Sequence, residues 1–363
     1  MILRSLLVDK HRPKSLDDLD YHPQLTNRIR SLAQTADFPH CLFYGPSGAG
    51  KKTRIAATLR ELFGPGAAKL RIEQRVFMTP SRRRLEVQII ESNYHLELTP
   101  ADLAQWDRSV IQDILKEVGG TTQLDSTASR KFKVVVIHCA DQLTLDAQAA
   151  LRRTMERHTS SLRLILCANS TSKIIGPIRS RCLLLRVGAP HPDQIVKVLQ
   201  SVASKEDFIR QFPEETAMSI ALSAEGNLRK AILTLEAIRA QDDTFSKPRP
   251  NVESIPKVDW QLYIEKLANL IRTEQSPEKL LEARSMIYEL LVHLIPPSIL
   301  IMNLTKALLV KIDDVLRPDI IHFAAFYEHR LRLGTKPIFH IEAFVAKVMS
   351  VLKNYSIGLH EFL

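Results

Sequence analysis

The segment GPSGAGKKT (Gly45–Thr53) constrains this chain more than any other, because it is a glycine-rich turn set between an apolar run and a helix-forming run. HCLFYG (His40–Gly45) reads as a short buried strand. TRIAATLREL (Thr53–Leu62) reads as a helix, closed by Gly64–Pro65–Gly66. A strand that feeds a helix through such a turn places backbone N–H groups at the helix N-terminus, where they wrap phosphate oxygens. A lysine after the last glycine adds a charge for the β- and γ-phosphates. Gly45, Gly50 and Lys51 stand where the pattern G-x-x-x-x-G-K-[ST] wants them, with Pro46, Ser47, Gly48 and Ala49 forming the turn between. The chain reads as nucleotide-binding.

The flanking sequence predicts the sheet that such a turn needs. FKVVVIH (Phe132–His138) and LRLILCA (Leu162–Ala168) are continuous apolar runs, the pattern of strands buried on both faces. DAQAALRRTMERH (Asp146–His158) lies between them as a helix, and LLLRV (Leu183–Val187) adds a strand. Strands alternating with helices predict a parallel sheet with helices on both faces. Residues 71–98 are β-like, with TPSRRR (Thr79–Arg84) as an inserted hairpin turn. Beyond Pro192 the pattern turns helical. Gly226 closes one segment and Asn227 is a natural N-cap for LRKAILTLEAIRA (Leu228–Ala240). After the proline-punctuated stretch 246–257, Pro277, Pro297, Pro318 and Pro337 each sit where a helix could begin. Three domains follow: 1–188, α/β; 189–245, a small helical domain; and 258–363, all-helical, joined by the 246–257 linker.

The metal side of the site departs from the pattern. Lys52 stands where a Ser or Thr hydroxyl should meet magnesium, and Thr53 comes one residue late. The apolar strand Val134–Ile137 should end in Asp, often followed by Glu, but it ends in His138 and Cys139. Neutral imidazole and thiol are poor magnesium ligands. Asp141 is a displaced carboxylate or, more in keeping with its position, a structural or capping residue. These replacements predict a site that binds nucleotide with little or no turnover, and with magnesium poorly served.

Composition excludes other classes. The 363 residues are 45% hydrophobic and 25% charged, an ordinary globular balance. The most apolar window, Leu290–Leu304, is interrupted by His293 and Pro296–Pro297, so it does not read as a membrane span. The first residues, MILRSLLVDKHRP, do not read as a secretory signal. Cys41, Cys139, Cys167 and Cys182 lack zinc-ligand spacing and read as reduced intracellular thiols. Residues 1–187 hold 29 Lys and Arg against 18 Asp and Glu, while the remainder holds 21 against 22. The whole net charge of +10 therefore sits in the first half, which suits an anionic partner as well as a merely solvated basic surface.

Seven ordered blocks resemble the small subunits of eukaryotic replication factor C, the AAA+ clamp loader, and among them the subunit 3-like (fungal subunit 5-like) members. They are VDKHRPKSLDDL (Val8–Leu19), FPHCLFYGPSGAGKKT (Phe38–Thr53), SNYHLELTP (Ser92–Pro100), DAQAALRRTME (Asp146–Glu156), RLILCANSTSKIIGPIRSRC (Arg163–Cys182), GNLRKAILTLEA (Gly226–Ala237) and IFHIEAFVAKVM (Ile338–Met349). The resemblance implies an α/β P-loop AAA+ domain, a helical lid domain and an all-helical C-terminal collar domain. It also implies ATP or ADP as the ligand and a nuclear location.

By the same resemblance, Val8, Arg12 and Pro13 would line the adenine pocket, with His11 where the family has an aromatic. Asn169 would be the first sensor and Arg229 the second, which couples lid closure to nucleotide. Arg181, in Ser180–Arg181–Cys182, would be an arginine finger acting on a neighbouring subunit's ATP. Arg152 and Arg153, with Arg108, would face DNA, and residues 106–118 the clamp. Implied partners are the other replication factor C subunits, the sliding clamp (proliferating cell nuclear antigen), primer–template DNA held by its backbone, and the large subunits of alternative loaders. Two other readings stay open: a self-sufficient AAA+ motor or helicase, which a defective site disfavours, and a nucleotide-free collar subunit, which intact Gly45, Gly50 and Lys51 disfavour.

Overall fold

The computed structural model describes residues 5–35, 37–78, 84–99, 106–120, 132–159, 161–206, 212–241 and 255–361. The chain divides into two compact units, Met1–Pro256 and Lys257–Leu363.

Among the described residues, the first unit is built on a seven-stranded sheet. The strands are β1 (Cys41–Tyr44), β2 (Arg71–Met78), β3 (Arg84–Glu91), β4 (His95–Leu98), β5 (Lys133–Ile137), β6 (Leu162–Ala168) and β7 (Leu183–Arg186), in the order β2-β3-β4-β5-β6-β1-β7. Period-two alternation splits every central strand between two cores. Leu42, Val135, Ile137, Leu164 and Leu166 pack on one face with Ile111, Ile114 and Leu115 of α4 (Asp107–Gly120) and Leu151 of α5 (Leu145–Arg157). Cys41, Phe43, Val134, Val136, Ile165 and Cys167 pack on the other, with Ile29 of α2 (Pro23–Gln34) and Ile55 and Leu59 of α3 (Lys51–Phe63). Both faces are covered, as the continuous apolar runs predict.

The sheet is mixed rather than wholly parallel. β4, β5, β6, β1 and β7 run parallel, whereas β3 is antiparallel to both β2 and β4. The reason is chain length: the five residues between β2 and β3 cannot make a parallel crossover, which takes a dozen or more. β2 is also largely exposed, as an edge strand is. The expected hairpin turn and the arginines Arg82 and Arg83 lie outside the described residues, as do Pro100 and residues 246–254 of the expected linker.

Three helices complete the first unit: α7 (Pro192–Ser204), α8 (Glu214–Ser223) and α9 (Leu228–Gln241). Their shared core includes Ile195, Leu199, Ile220 and Leu235. Asn227 Oδ1 accepts from Lys230 N at 3.1 Å, which is the N-cap expected of α9. Short helices α1 (Leu7–Lys10) and α6 (Gly176–Arg179) flank the sheet strands in sequence.

The second unit is five helices: α10 (Asp259–Thr273), α11 (Pro277–Val292), α12 (Pro297–Leu309), α13 (Arg317–Leu333) and α14 (Pro337–Glu361). Pro277, Pro297 and Pro337 are first residues of their helices and Pro318 is the second of its own, where a missing N–H costs nothing. Leu267, Ile287, Leu304 and Phe344 are fully buried in its core. No helix among the described residues is long and apolar enough to cross a membrane.

Candidate nucleotide site

The glycine turn follows β1 at the carboxyl edge of the parallel strands, between the ends of β6 and β7. This is where open α/β sheets bind ligands. Its glycines are required by contact as well as conformation. A Cβ on Gly45 would lie 1.9 Å from Val187 O, and one on Gly48 would lie 1.7 Å from Asn227 Oδ1; Gly48 also has φ +76°. The lid therefore rests on the turn through Asn227. Gly50, at φ +81°, is the N-cap of α3. The Tyr21 hydroxyl sits where its Cβ would be and donates to Ala49 O at 3.0 Å.

Arg54, fully buried one turn into α3, holds this corner from below. It donates to Thr26 Oγ1 at 2.9 Å and to Tyr21 O, and its guanidinium lies 4.9 Å from the Tyr21 ring centroid. Burial pushes its pKa down, opposed by the neighbouring Tyr21.

Lys51 uses all three of its donors on the protein: Gly45 O at 2.7 Å, Pro46 O at 2.9 Å and Asn169 Oδ1 at 3.0 Å. Burial lowers its pKa, partly offset by Cys167, Asp141 and Cys139.

A cavity of about 790 Å³ opens above Lys51, room enough for a nucleotide. Of the residues singled out in sequence, Val8, Arg12, Pro13, Ser47, Gly48, Gly50, Lys51, Lys52, Thr53, Asn169 and Arg229 line it. Gly45, Pro46 and Ala49 do not; their backbone carbonyls hold Lys51 and Tyr21 instead. Val198, Val202, Leu228 and Ile232 of the lid helices form an apolar wall. His11 lines the cavity as well, and its Nε2 lies 2.6 Å from Glu206 Oε1, a carboxylate also bonded by Lys10.

At the end of β5 the two replaced positions diverge. Cys139 lines the cavity in a left-handed conformation (φ 51°). His138 Nε2 bonds Glu97 Oε2 of β4 at 2.8 Å, and His95 Nε2 lies 3.5 Å from the same carboxylate. Burial pushes the Glu97 carboxyl up, but the hydrogen bonds and charge of His138 and His95 outweigh it and hold the group down at about 2. Asp141 is not the cap its position suggested. It lines the cavity, and its buried Oδ1 has no hydrogen-bond partner among the described residues.

The fold family implies magnesium beside the phosphates, and the donor set does not fit it. Asp141 offers a single carboxylate at the end of β5, Lys52 replaces the hydroxyl, and no cluster of three His, Cys, Asp or Glu exists among the described residues.

Arg181, Arg152, Arg153 and Arg108 lie apart from this cavity. Arg181, just past α6, donates to Glu156 Oε1 of α5 at 2.6 Å and to Pro177 O at 2.9 Å. Arg152 and Arg153 are exposed on α5, and Arg108 of α4 lies 4.0 Å from Asp146 at the start of α5.

Sequence reasoning missed Tyr21, Arg54, Glu97, Cys167, Glu206 and the lid's apolar wall. Asn227 was found as a cap but not as the residue that touches the turn. The LDYH and GKKTR runs carried no signal that Tyr21 and Arg54 would meet.

A glycine-rich turn at the carboxyl edge of a five-strand parallel core, closed over by a three-helix lid, defines an AAA+ nucleotide-binding module. Residues 21–191 match the family described as DNA polymerase III, delta subunit, and residues 197–240 an RCF1/5-like AAA+ ATPase lid domain. Residues 260–356 match the Replication factor C subunit 3 C-terminal domain. Replication factor C subunit 5 of Neurospora crassa is 53% identical over 98% of this chain and 99% of its own length. Replication factor C subunit 3 of Homo sapiens is 50% identical over 97% of each. The Thermotoga maritima RuvB Holliday junction branch migration motor shares the fold at 16% identity and a TM-score of 0.50, covering 72% of this chain and 80% of that one. The chain belongs to the replication factor C family, the clamp-loader subunits of DNA replication, among its subunit 3 and subunit 5 members.

Proposed function

We propose that this chain is a nucleotide-binding, weakly hydrolysing or non-hydrolysing subunit of a heteropentameric clamp loader in the nucleus. One observation carries the reading. The cavity keeps Lys51, Asn169 and Arg229 for the phosphates while Lys52, His138 and Cys139 occupy the positions that would hold a metal and polarise an attacking water. Phosphoryl transfer is almost wholly positioning and charge stabilisation, so losing both positions leaves binding without turnover.

On this reading Val8, His11, Arg12 and Pro13 face the base together with the lid wall, and ATP or ADP draws Arg229 and α9 onto the turn. Arg181 acts in trans: a guanidinium set against a neighbour's γ-phosphate offsets charge developing there and needs no intact site at home. The partners are the other replication factor C subunits, the ring-shaped sliding clamp met by α4, and primer–template DNA. Arg108, Arg152 and Arg153 would contact the DNA backbone, since a loader must act at any sequence. Exchange of the large subunit would place the same chain in alternative loaders. The α/β, lid and collar parts correspond to residues 1–188, 189–245 and 258–363.

Equilibrium binding of ATP to the full chain, followed by single-turnover hydrolysis, tests this directly. The expected result is saturable binding, abolished by Lys51→Ala, with no ADP formed on the timescale of loader turnover. Efficient hydrolysis by the chain alone contradicts it.

A further inference from the structure

We propose that this site takes its nucleotide without a divalent cation, with the Lys52 ammonium standing where the cation would bridge phosphate oxygens. The inference rests on the nucleotide reading above and says how the bound phosphates are neutralised.

Three observations point the same way. Lys52 is exposed, lines the cavity and makes no hydrogen bond or ion pair among the described residues, so its charge is uncommitted. It sits immediately after Lys51 at the start of α3, where the helix N-terminus already favours an anion. Arg229 faces the same space from α9 and is close enough to oppose the charge on Lys51. Three cations thus converge on the volume a polyphosphate would fill.

A divalent ion placed among them meets the opposite situation. It needs about six oxygen ligands, several of them from phosphate and water and at least one from the protein. The hydroxyl that would serve is displaced to Thr53, about 100° further around the helix. At the end of β5 His138 is turned to Glu97 and Cys139 is a thiol, which leaves Asp141 as the carboxylate there, and Asn169 Oδ1 is taken by Lys51. The Lys52 ammonium would repel the ion from the remaining position. An ammonium there supplies charge-assisted hydrogen bonds to the same phosphate oxygens and needs no oxygen ligand from the protein. It polarises no water, which is consistent with a site that holds nucleotide rather than turning it over.

The test is ADP binding to the full chain by calorimetry, in magnesium and in excess chelator. Wild type is expected to bind with affinities that agree within about twofold in the two buffers. Lys52→Ala is expected to bind about tenfold more weakly in chelator, the loss of one charge-assisted contact. Because Lys52 is exposed, its circular dichroism and melting should match wild type. Two results would overturn the inference: wild-type binding that collapses in chelator and returns with magnesium, or Lys52→Ala binding as tightly as wild type in chelator. Lys51→Ala separates this from the underlying reading. If wild type binds no better than Lys51→Ala in either buffer, the nucleotide site itself fails and the inference falls with it.

Discussion

Arg181 and Arg152 share one carboxylate oxygen: Arg181 Nη2 lies 2.6 Å and Arg152 Nε 3.6 Å from Oε1 of Glu156. A residue proposed to act on a neighbour's phosphate is thus held, in the separate chain, by the helix that carries the arginines proposed to meet DNA. The three side chains are a third to a half exposed, so the pairing is worth at most about 1 kcal/mol.

Glu156→Gln should therefore leave the melting temperature of the chain almost unchanged. In the assembled loader it should raise DNA-independent ATP turnover by no more than about fivefold, the equivalent of that ion pair. Steady-state turnover with and without DNA checks this, and a fall in turnover would show that Glu156 aims Arg181 instead of restraining it.

Gly48→Ala should weaken nucleotide binding and destabilise the first unit. The new Cβ meets Asn227 Oδ1, and the left-handed conformation costs a non-glycine residue about 1 kcal/mol. Adding Asn227→Gly relieves the clash but not the backbone strain, so affinity should recover only in part. Titration of nucleotide against the single and double variants reads the difference.

Glu97 should make stability depend on acid. Its carboxyl sits at about 2 against an ordinary 4.5, so its stabilisation is complete above 4.5 and is lost as pH falls toward 2. The full contribution is on the order of 3 kcal/mol. Denaturant unfolding of wild type and Glu97→Gln between pH 6 and pH 2 (roughly the window set by those values) should show a steeper acid loss in wild type. Parallel curves would contradict the assignment.

Arg54→Met keeps the volume of the buried side chain but removes the charged donor from both Thr26 Oγ1 and Tyr21 O. A cost of about 2–4 kcal/mol follows from the lost charged hydrogen bonds. Nucleotide affinity should fall with it, because Tyr21 no longer braces Ala49. Arg54→Lys should not rescue, since a point charge cannot serve both partners and stack on Tyr21.

The sequence revealed whatever depends on local pattern. Leu162–Ala168 reads as a strand buried on both faces because all seven residues are buried, and β6 spans those seven. Asn227 reads as a cap because its oxygen serves a backbone N–H three residues on. What depends on distant approach stayed hidden. Tyr21 meets Ala49, Asn227 meets Gly48 and Glu206 meets His11 only after the sheet and lid have formed. The antiparallel pairing of β2 and β3 was legible as the hairpin expected around Thr79–Arg84, but its place at the exposed edge of the same sheet was not, because apolar-run reasoning orders only buried strands. Glu97 was invisible for a third reason. A carboxylate inside a β-strand looks like a solvated residue until two histidines are found beside it.

The most direct test of the account is steady-state ATP turnover by the reconstituted loader, stimulated by clamp and primer–template DNA, with Arg181→Ala compared against Lys51→Ala in this chain. Arg181→Ala should remove a neighbouring site's share of turnover while Lys51→Ala leaves turnover nearly intact. A large loss with Lys51→Ala and none with Arg181→Ala would mean that this chain hydrolyses its own nucleotide despite Lys52, His138 and Cys139.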